Sequence, residues 1–479
     1  MSDTRNAIDR FFAISARGST ISREVRGGLA TFFTMAYIVV LNPIIIANGK
    51  DVDGQVIGDG TTPNVALVAA GTAFVAGVLT ILMGVIGKVP FAMAAGLGLN
   101  AFVTFSIASV MTWEEAMGLV FLEGVIIALL VLTGLRTAIF HAIPAQLKTA
   151  ISVGIGLFIA LIGFVDAGFV RKAVGTPLEL GIGGNLTSWP IFVFIVGLLA
   201  TAAMVARKVR GAILIGIVGT TILAIIVELL AKAGNFSPEN PGGWQLNLPS
   251  LPEQIFGFNN PLLLFTEFDP FGGFIRVDVL LAALLVFTLL ITDFFDTMGT
   301  IVGVGRQADL VGEDGMLPRT KQILLVDSIG AAAGGAGSVS SNTTYIESAA
   351  GVGEGARTGL ASVVTGLLFL VAVFFAPLVQ IVPYEAAAPA LVLVGFLMMT
   401  AIRDIDWNDF EIAIPAFLTV VIMPFTYSIS NGIGVGFISY VLIKVVCGKR
   451  RQIHPLLWGV AALFTLYFAI GPIRALLAG

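Results

Sequence analysis

Long apolar runs alternate with short polar connections along almost the whole chain. The first seven runs are 29–48, 65–86, 90–110, 116–135, 147–166, 189–206 and 211–232. Seven more follow a long connection rich in Pro, Gly and Asn, at 278–304, 322–336, 340–352, 357–382, 386–402, 410–428 and 431–447. About 20 apolar residues are needed to cross a hydrocarbon core of about 30 Å. The pattern predicts an all-α polytopic membrane protein with about 14 transmembrane segments.

The composition strengthens the membrane assignment and narrows the function. The chain is 57% hydrophobic and 12% charged, and it has one cysteine and two histidines. Cys447, His141 and His454 all lie in or next to connections, so the composition favours neither a metal site nor a His-based or Cys-based catalytic centre. No basic patch with interleaved aromatic residues indicates nucleic acid. We therefore expect a protein that is not an enzyme and that has no cofactor and no metal.

The charged residues orient the chain in the membrane. Counting the runs in order, every even-numbered connection carries Lys or Arg, while the odd-numbered ones are mostly acidic, neutral or long; Arg171 and Lys172 are the main exception. Lys and Arg accumulate on the cytoplasmic side of membrane proteins. The N-terminus is thus predicted to be cytoplasmic, in the cell (inner) membrane, and no signal peptide is recognised.

The number of runs also suggests the domain organisation. We expect a cytoplasmic N-terminal segment 1–28, a first repeat 29–235, an extracytoplasmic connection 236–276, a second repeat 277–448 and a hydrophobic tail 449–479. Seven segments per repeat is an odd number, so the two copies would be inverted relative to each other. The tail, Leu456 to Ala478, is interrupted by Gly471-Pro472 and is compatible either with one more crossing or with a position along the interface.

The third and tenth runs differ from the others. Both start as Gly-rich, helix-poor stretches and then become helical, VPFAMAAGLGLNAFVTF at 89–105 and GGAGSVSSNTTYIESAAGVGEG at 334–355. Paired Gly-interrupted segments at matching positions of two halves indicate the binding site of a transporter. Asn100 and Glu347 lie near these two breaks, and Thr34 and Tyr37 of the first run are weaker candidates for the same pocket.

Three carboxylates within predicted spans are candidates for the site, because ionisable residues there indicate function. They are Glu347 in the tenth run and Asp293 and Asp296 in the eighth. The two aspartates are three residues apart and therefore neighbours on a helix. Each aspartate could instead cap a helix or bond a nearby hydroxyl, and Asn100 could simply satisfy the neighbouring backbone.

Three of these stretches carry a resemblance to a known family. The sequences PFAMAAGLGLNAF at 90–102, DFFDTMGT at 293–300 and GSVSSNTTYIESAAGVGEGARTGL at 337–360 resemble the AzgA-like purine permeases of the nucleobase/ascorbate transporter (nucleobase:cation symporter 2) superfamily. The resemblance implies two inverted seven-segment repeats that form a core and a gate domain. It also implies short strands in segments 3 and 10 and alternating access by movement of the core against the gate.

The resemblance also implies roles for individual residues. Glu347 matches the carboxylate of segment ten, and Asn100 and Gly98 match the polar and glycine positions of segment three. Asp296 has the expected spacing from Gly299, whereas Asp293 lies one turn away, and the choice between the two aspartates stays open. The predicted substrate-binding residues are Glu347, Asp296, Asn100, Gly98, Asp293, Ile346 and Thr344, and the predicted proton-coupling residues are Asp296 and Glu347.

The predicted function is proton-coupled uptake of purine nucleobases, guanine and hypoxanthine and in addition adenine. The alternatives are another nucleobase or an anion carried on the same fold, and sodium as the coupling ion. The absence of an obvious Lys or Arg beside the carboxylates argues against an anion. A channel is less favoured because channel filters usually repeat by oligomer symmetry, whereas both broken segments come from one chain. A membrane-embedded enzyme is less favoured because the spans contain no His or Cys cluster and no nucleophile–base pair. The expected partners are a purine, a proton or sodium ion and the lipid bilayer, with a homodimer as a compatible assembly.

Overall fold

The computed structural model describes residues 7–57, 62–133, 143–173, 175–252, 254–266, 268–311 and 317–478. Long apolar helices dominate it. In the first half, the helices are α1 Ala7–Phe12, α2 Ile21–Met35, α3 Ile38–Ile46, α4 Val65–Leu82, α5 Leu97–Phe102, α6 Trp113–Thr133, α7 Ala145–Asp166, α8 Trp189–Ala206 and α9 Ala212–Ala231. Strands β1 Met93–Ala95, β2 Val170–Arg171 and β3 Glu179–Leu180 lie between them.

The second half also consists mainly of long helices, with one short strand. Its helices are α10 Gly272–Arg276, α11 Val279–Gln307, α12 Thr320–Ala336, α13 Ser348–Gly353, α14 Gly359–Ala372, α15 Tyr384–Met399, α16 Phe410–Thr426, α17 Ile429–Val446 and α18 Pro455–Ala478. Strand β4 is Asn342–Thr344. Among the described residues, ten helices are long and apolar enough to cross a membrane. The chain is thus a mostly helical polytopic membrane protein.

The predicted breaks in the third and tenth runs are present as strands. β1 and β4 pair antiparallel, with Met93 opposite Thr344 and Ala95 opposite Asn342. Each strand leads directly into a short helix, α5 or α13. The strands are fully buried, as non-helical backbone at membrane depth must be. The pair therefore joins the two halves of the chain at the breaks in the third and tenth runs.

Backbone groups beyond the strands are also satisfied. The N–H of Tyr345 donates to the carbonyl of Ala92 (2.9 Å), and the N–H of Gly96 donates to that of Ser341 (3.0 Å). The hydroxyl of Thr80 on α4 both donates to the Met93 carbonyl and accepts from its N–H. Because unsatisfied backbone groups are costly in an apolar surrounding, these bonds hold the broken segments in place.

Small residues bring the helices close together around the strand pair. A Cβ on Gly334 of α12 would lie 1.9 Å from the carbonyl oxygen of Ser340. A Cβ on Gly124 of α6 would lie 2.2 Å from the N atom of Ala332. Small residues permit such close approach in membrane helix packing. α6 and α12 therefore form a tight pair behind β4.

The structure differs from the sequence prediction at two places. The first apolar helix begins at Ile21, so the predicted limit between 28 and 29 falls inside α2. Thr20 caps this helix by accepting a hydrogen bond from the Arg23 N–H. This capping residue lies within a charged stretch, before the first apolar run. In the tail, α18 continues through Gly471-Pro472, where we predicted an interruption. Proline removes one backbone hydrogen bond, and this loss is tolerated in membrane helices.

Candidate functional site

The carboxylate of Glu347 lies directly after the crossing strands. Glu347 immediately precedes α13 and is half-buried. The hydroxyl of Tyr37, between α2 and α3, donates a 2.5 Å hydrogen bond to its Oε1 atom. Tyr37 itself is fully buried, so its ring is fixed by packing and holds the carboxylate in one orientation. Of the two weak candidates in the first run, Tyr37 reaches the site, whereas Thr34 bonds the Ala30 carbonyl of its own helix.

Asp296 of α11 lies across the same space. Its carboxylate is exposed, and its charge interacts with those of Glu347 and Asp327. Ile346, the residue before Glu347, is 55% exposed. These accessible carboxylate and apolar side chains, next to the buried strand β4, line one space, which we call the cleft.

The cleft continues along one face of α11 to the end of that helix. Asp296, Gly303 and Arg306 are all exposed, and their spacing of seven and three residues places them on one face. The side chain of Ile346 approaches this face: its Cδ1 atom lies 4.0 Å from the place of a Cβ on Gly303. Arg306 lies in the last turn of α11, so this exposed face extends to the C-terminal end of the helix.

The other aspartate of α11 has a different environment. Asp293 is fully buried, one turn away from the exposed Asp296. The pair therefore does not act as one site, although both residues lie in the same apolar run. Only Asp296 shares the cleft with Glu347.

Asn100, Gly98 and Thr344 are near the crossing but do not present side chains to the cleft. The Asn100 amide is fully buried and donates to Oδ1 of Asn42 (2.9 Å). A Cβ on Gly98 would lie 2.7 Å from Cγ2 of Ile155 on α7, so this glycine serves close packing. The Thr344 hydroxyl donates to Asp327 (3.1 Å).

Asn42 extends the Asn100 contact to the second half of the chain. Its amide donates to the hydroxyl of Thr72 (2.9 Å) and to the carbonyl of Val339 (3.1 Å). Asn42, Thr72 and Asn100 thus tie α3, α4 and α5 to the segment that leads into β4. The Asn100 amide thus bonds the Asn42 side chain rather than neighbouring backbone, and the network supports the crossing.

Asp327 of α12 is a buried carboxylate that the sequence reasoning missed. Its Oδ1 atom accepts from the N–H and the hydroxyl of Thr344, and its Oδ2 atom accepts from the hydroxyl of Thr297 (2.9 Å). The hydroxyls of Thr297 and Thr343 also share a 2.6 Å hydrogen bond. Asp327 therefore connects α11, α12 and β4 directly behind the cleft.

Glu123 of α6 is a second buried carboxylate that the sequence reasoning missed. It is fully buried, and its surroundings include the hydroxyl of Ser341 and the carboxylate of Asp327. Both acids stand alone in apolar runs, VFLEGVII and LLVDSIG, and an ionisable residue in a span is itself the signal. Within the part of the chain that the structure describes, no group of His, Cys, Asp and Glu could hold a metal ion; His141 lies outside the described residues.

Comparison with known proteins places the chain in a family. A family model described as "Permease family" matches residues 22–435. The chain belongs to this family. The permease is 37% identical over 472 residues to the guanine/hypoxanthine permease PbuG of Bacillus subtilis (strain 168), covering 96% of the chain and 98% of that relative. It is 36% identical over 461 residues to the adenine permease AdeP of Escherichia coli (strain K12), covering 96% and 95%.

Solved structures support the fold of the permease. The transmembrane domain of the cyanobacterial bicarbonate transporter BicA superposes with a TM-score of 0.58 at 14% identity, covering 86% of this chain and 97% of that one. Murine Slc26a9 in its inward-facing state gives 0.58 at 11% identity, covering 93% and 74%. These likenesses concern the fold alone. The relatives confirm the resemblance to purine permeases and the expectation of a transporter rather than an enzyme.

Proposed function

We propose that the permease takes up purine nucleobases, guanine and hypoxanthine and in addition adenine, across the cell membrane. The observation that carries the proposal is the cleft in which Glu347, held by Tyr37, faces Asp296. The names of relatives at 36–37% identity over almost the whole chain support the substrate class.

The chemistry of the cleft suits a purine. A purine ring presents several N–H groups at one edge, and ionised or hydrogen-bonded carboxylates accept from such groups. The flat face of the base fits against an exposed apolar side chain such as Ile346. Asp296 and Glu347 are therefore the proposed base-binding residues, with Ile346 as the contact to the ring. Asn100, Gly98, Thr344 and Asp293 are proposed to shape the site from behind.

Alternating access is the proposed mode of transport. The two repeats, 29–235 and 277–448, are proposed to contribute about 14 segments to a core and a gate domain, joined by the extracytoplasmic connection 236–276. The antiparallel β1–β4 pair supports an inverted relation because such a pair has a local two-fold axis. Segment 1–28 and tail 449–479 lie outside the repeats. The cleft open along α11 corresponds to an inward-facing state with a cytoplasmic N-terminus.

Proton coupling is proposed to reside in Asp296 and Glu347. Removal from bulk water and a neighbouring carboxylate both favour the protonated form of an acid, so one of the pair can exchange a proton during the cycle. The base would then bind best to one protonation state of the pair. Sodium is the alternative coupling ion, and a homodimer is a compatible assembly.

The test is uptake of labelled hypoxanthine into proteoliposomes with an imposed pH gradient. Guanine and adenine are expected to compete, and uracil, sulfate and bicarbonate are not. Accumulation should follow the pH gradient and persist without sodium. Strong uptake of uracil without competition by purines would contradict the substrate class, and accumulation that requires a sodium gradient would contradict proton coupling.

A further inference from the structure

A cavity of about 430 Å³ lies at the end of α17, away from the cleft. Its lining includes Pro144, Tyr440, Arg451, Gln452, His454 and Leu457. These residues come from the start of α7, from α17 and from the turn that leads into α18. The cavity is therefore formed where two long apolar helices end at a basic connection, which the charge distribution predicts to be cytoplasmic.

The charges at this cavity are unevenly compensated. Lys444 and Lys449 share one partner, Glu411, whose two carboxylate oxygens each accept at 2.6 Å. Asp409 also acts on Lys449 electrostatically. Among the described residues, Arg450 and Arg451 have no hydrogen bond or ion pair from their guanidinium groups, and both are exposed. The four cations thus exceed the two nearby carboxylates, and the guanidinium at the cavity wall is available to a ligand.

Apolar surface adjoins the basic cavity. Four apolar side chains are exposed, Leu442 and Val446 on α17 and Leu456 and Trp458 on α18. Exposed apolar side chains on a spanning helix face lipid rather than water. A tryptophan beside such a surface is typical of the membrane interface. We therefore expect the cavity at headgroup level, with surface for acyl chains next to it.

We infer that this cavity binds the phosphate headgroup of an anionic phospholipid. Arginine binds phosphate with two parallel N–H donors, and basic pockets between membrane helices on the cytoplasmic side are suited to anionic headgroups. The Arg451 guanidinium group supplies the two parallel N–H donors. Gln452, whose Oε1 atom accepts from Lys444 (3.5 Å), supplies its amide N–H groups at the same wall, which Tyr440 also lines. The neighbouring leucine and valine side chains receive the acyl chains. Free phosphate shares the headgroup chemistry but gains nothing from this apolar surface.

The chain offers a matched pair of variants for the test. Arg451 lines the cavity, whereas its neighbour Arg450 does not, so Arg451→Gln and Arg450→Gln remove the same charge at adjacent positions. Arg207→Gln, in the connection between α8 and α9, removes an exposed charge elsewhere on the same predicted side. The full-length protein is purified in a neutral detergent, and retained lipid is counted by native mass spectrometry during titration with phosphatidylglycerol, phosphatidylcholine or inorganic phosphate.

The expected result is retention of phosphatidylglycerol but not of phosphatidylcholine by the wild-type chain. Arg451→Gln should weaken retention about fivefold, the effect of one cation at a membrane surface, and Arg450→Gln and Arg207→Gln should weaken it less than twofold. Millimolar inorganic phosphate should not displace the lipid.

Three results would overturn the inference. Equal loss in Arg451→Gln and Arg450→Gln would indicate a diffuse basic surface. Displacement of the lipid by millimolar phosphate would assign the site to a free anion. Equal retention of phosphatidylcholine would show that the net negative charge of the headgroup does not determine binding. Hypoxanthine uptake and the elution volume on gel filtration show whether each variant is folded, and failure of the purine assay would leave the lipid measurement intact.

Discussion

The hydroxyl of Tyr37 donates a 2.5 Å hydrogen bond to Oε1 of Glu347, which lies 310 positions further along the chain. The bond joins the first apolar helix pair to the start of α13. It fixes the one carboxylate that stands directly at the end of the crossing strands. Tyr37 is therefore a positioning residue for Glu347.

The variant Tyr37→Phe tests this relationship. Loss of a hydrogen bond to a charged group costs about 1.5–3 kcal/mol, so we expect the KM for hypoxanthine to rise roughly tenfold or more. Thr34→Val is the matched control, because the Thr34 hydroxyl bonds only its own helix. Uptake kinetics in proteoliposomes check both variants, and an unchanged KM in Tyr37→Phe would remove the positioning role.

Variants of the two cleft carboxylates should distinguish substrate binding from energy coupling. Glu347→Gln or Asp296→Asn removes the exchangeable proton while keeping the shape of the side chain. If that residue carries the proton, substrate exchange should continue while accumulation driven by a pH gradient is lost. Exchange and gradient-driven uptake are measured on the same proteoliposomes.

Asp293→Asn is the internal comparison for this experiment. Asp293 is buried and Asp296 is exposed in the cleft, so the Asp293 variant should affect coupling less than the Asp296 variant. Full pH-driven accumulation in both Glu347→Gln and Asp296→Asn would show that the coupling site lies elsewhere.

Asp327 should contribute mainly to stability. It accepts three hydrogen bonds that join α11, α12 and β4. Asp327→Ala leaves the buried hydroxyls of Thr297 and Thr344 without this acceptor, and we expect a loss of about 3 kcal/mol. The thermal midpoint in detergent should fall. Thr201→Val is the control, since its hydroxyl bonds only within its own helix; an equal decrease there would contradict the assignment.

The last turn of α12 should not tolerate a side chain at Gly334. A Cβ there would lie 1.9 Å from the Ser340 carbonyl oxygen, and Ser340 already has a positive φ of 68°, which leaves little room for adjustment. We expect Gly334→Ala to destabilise the protein by about 1–3 kcal/mol. Gly219→Ala is the helical control, because its Cβ would meet nothing within 4 Å. The thermal midpoint and the yield of folded protein check this prediction.

The sequence alone determined the membrane class and the position of the breaks. The length and spacing of the apolar runs sufficed for this. Each span needs about 20 apolar residues, and backbone groups inside the hydrocarbon core must be hydrogen-bonded. The Gly-rich stretches around Asn100 and Glu347 stood out because they break this rule. The carboxylates Asp293, Asp296 and Glu347 stood out because charge inside a span is costly.

Only the tertiary structure decided which of these residues share a space. Asp293 and Asp296 lie one turn apart in the same apolar run, and only the packing of α11 shows that Asp293 is buried and Asp296 is exposed. Asn100 faces Asn42, and Thr344 faces Asp327, because hydrogen-bond partners far apart in sequence determine where each polar side chain points. Tyr37, Asp327 and Glu123 acquire their roles in the same way, through contacts between helices that no local pattern encodes.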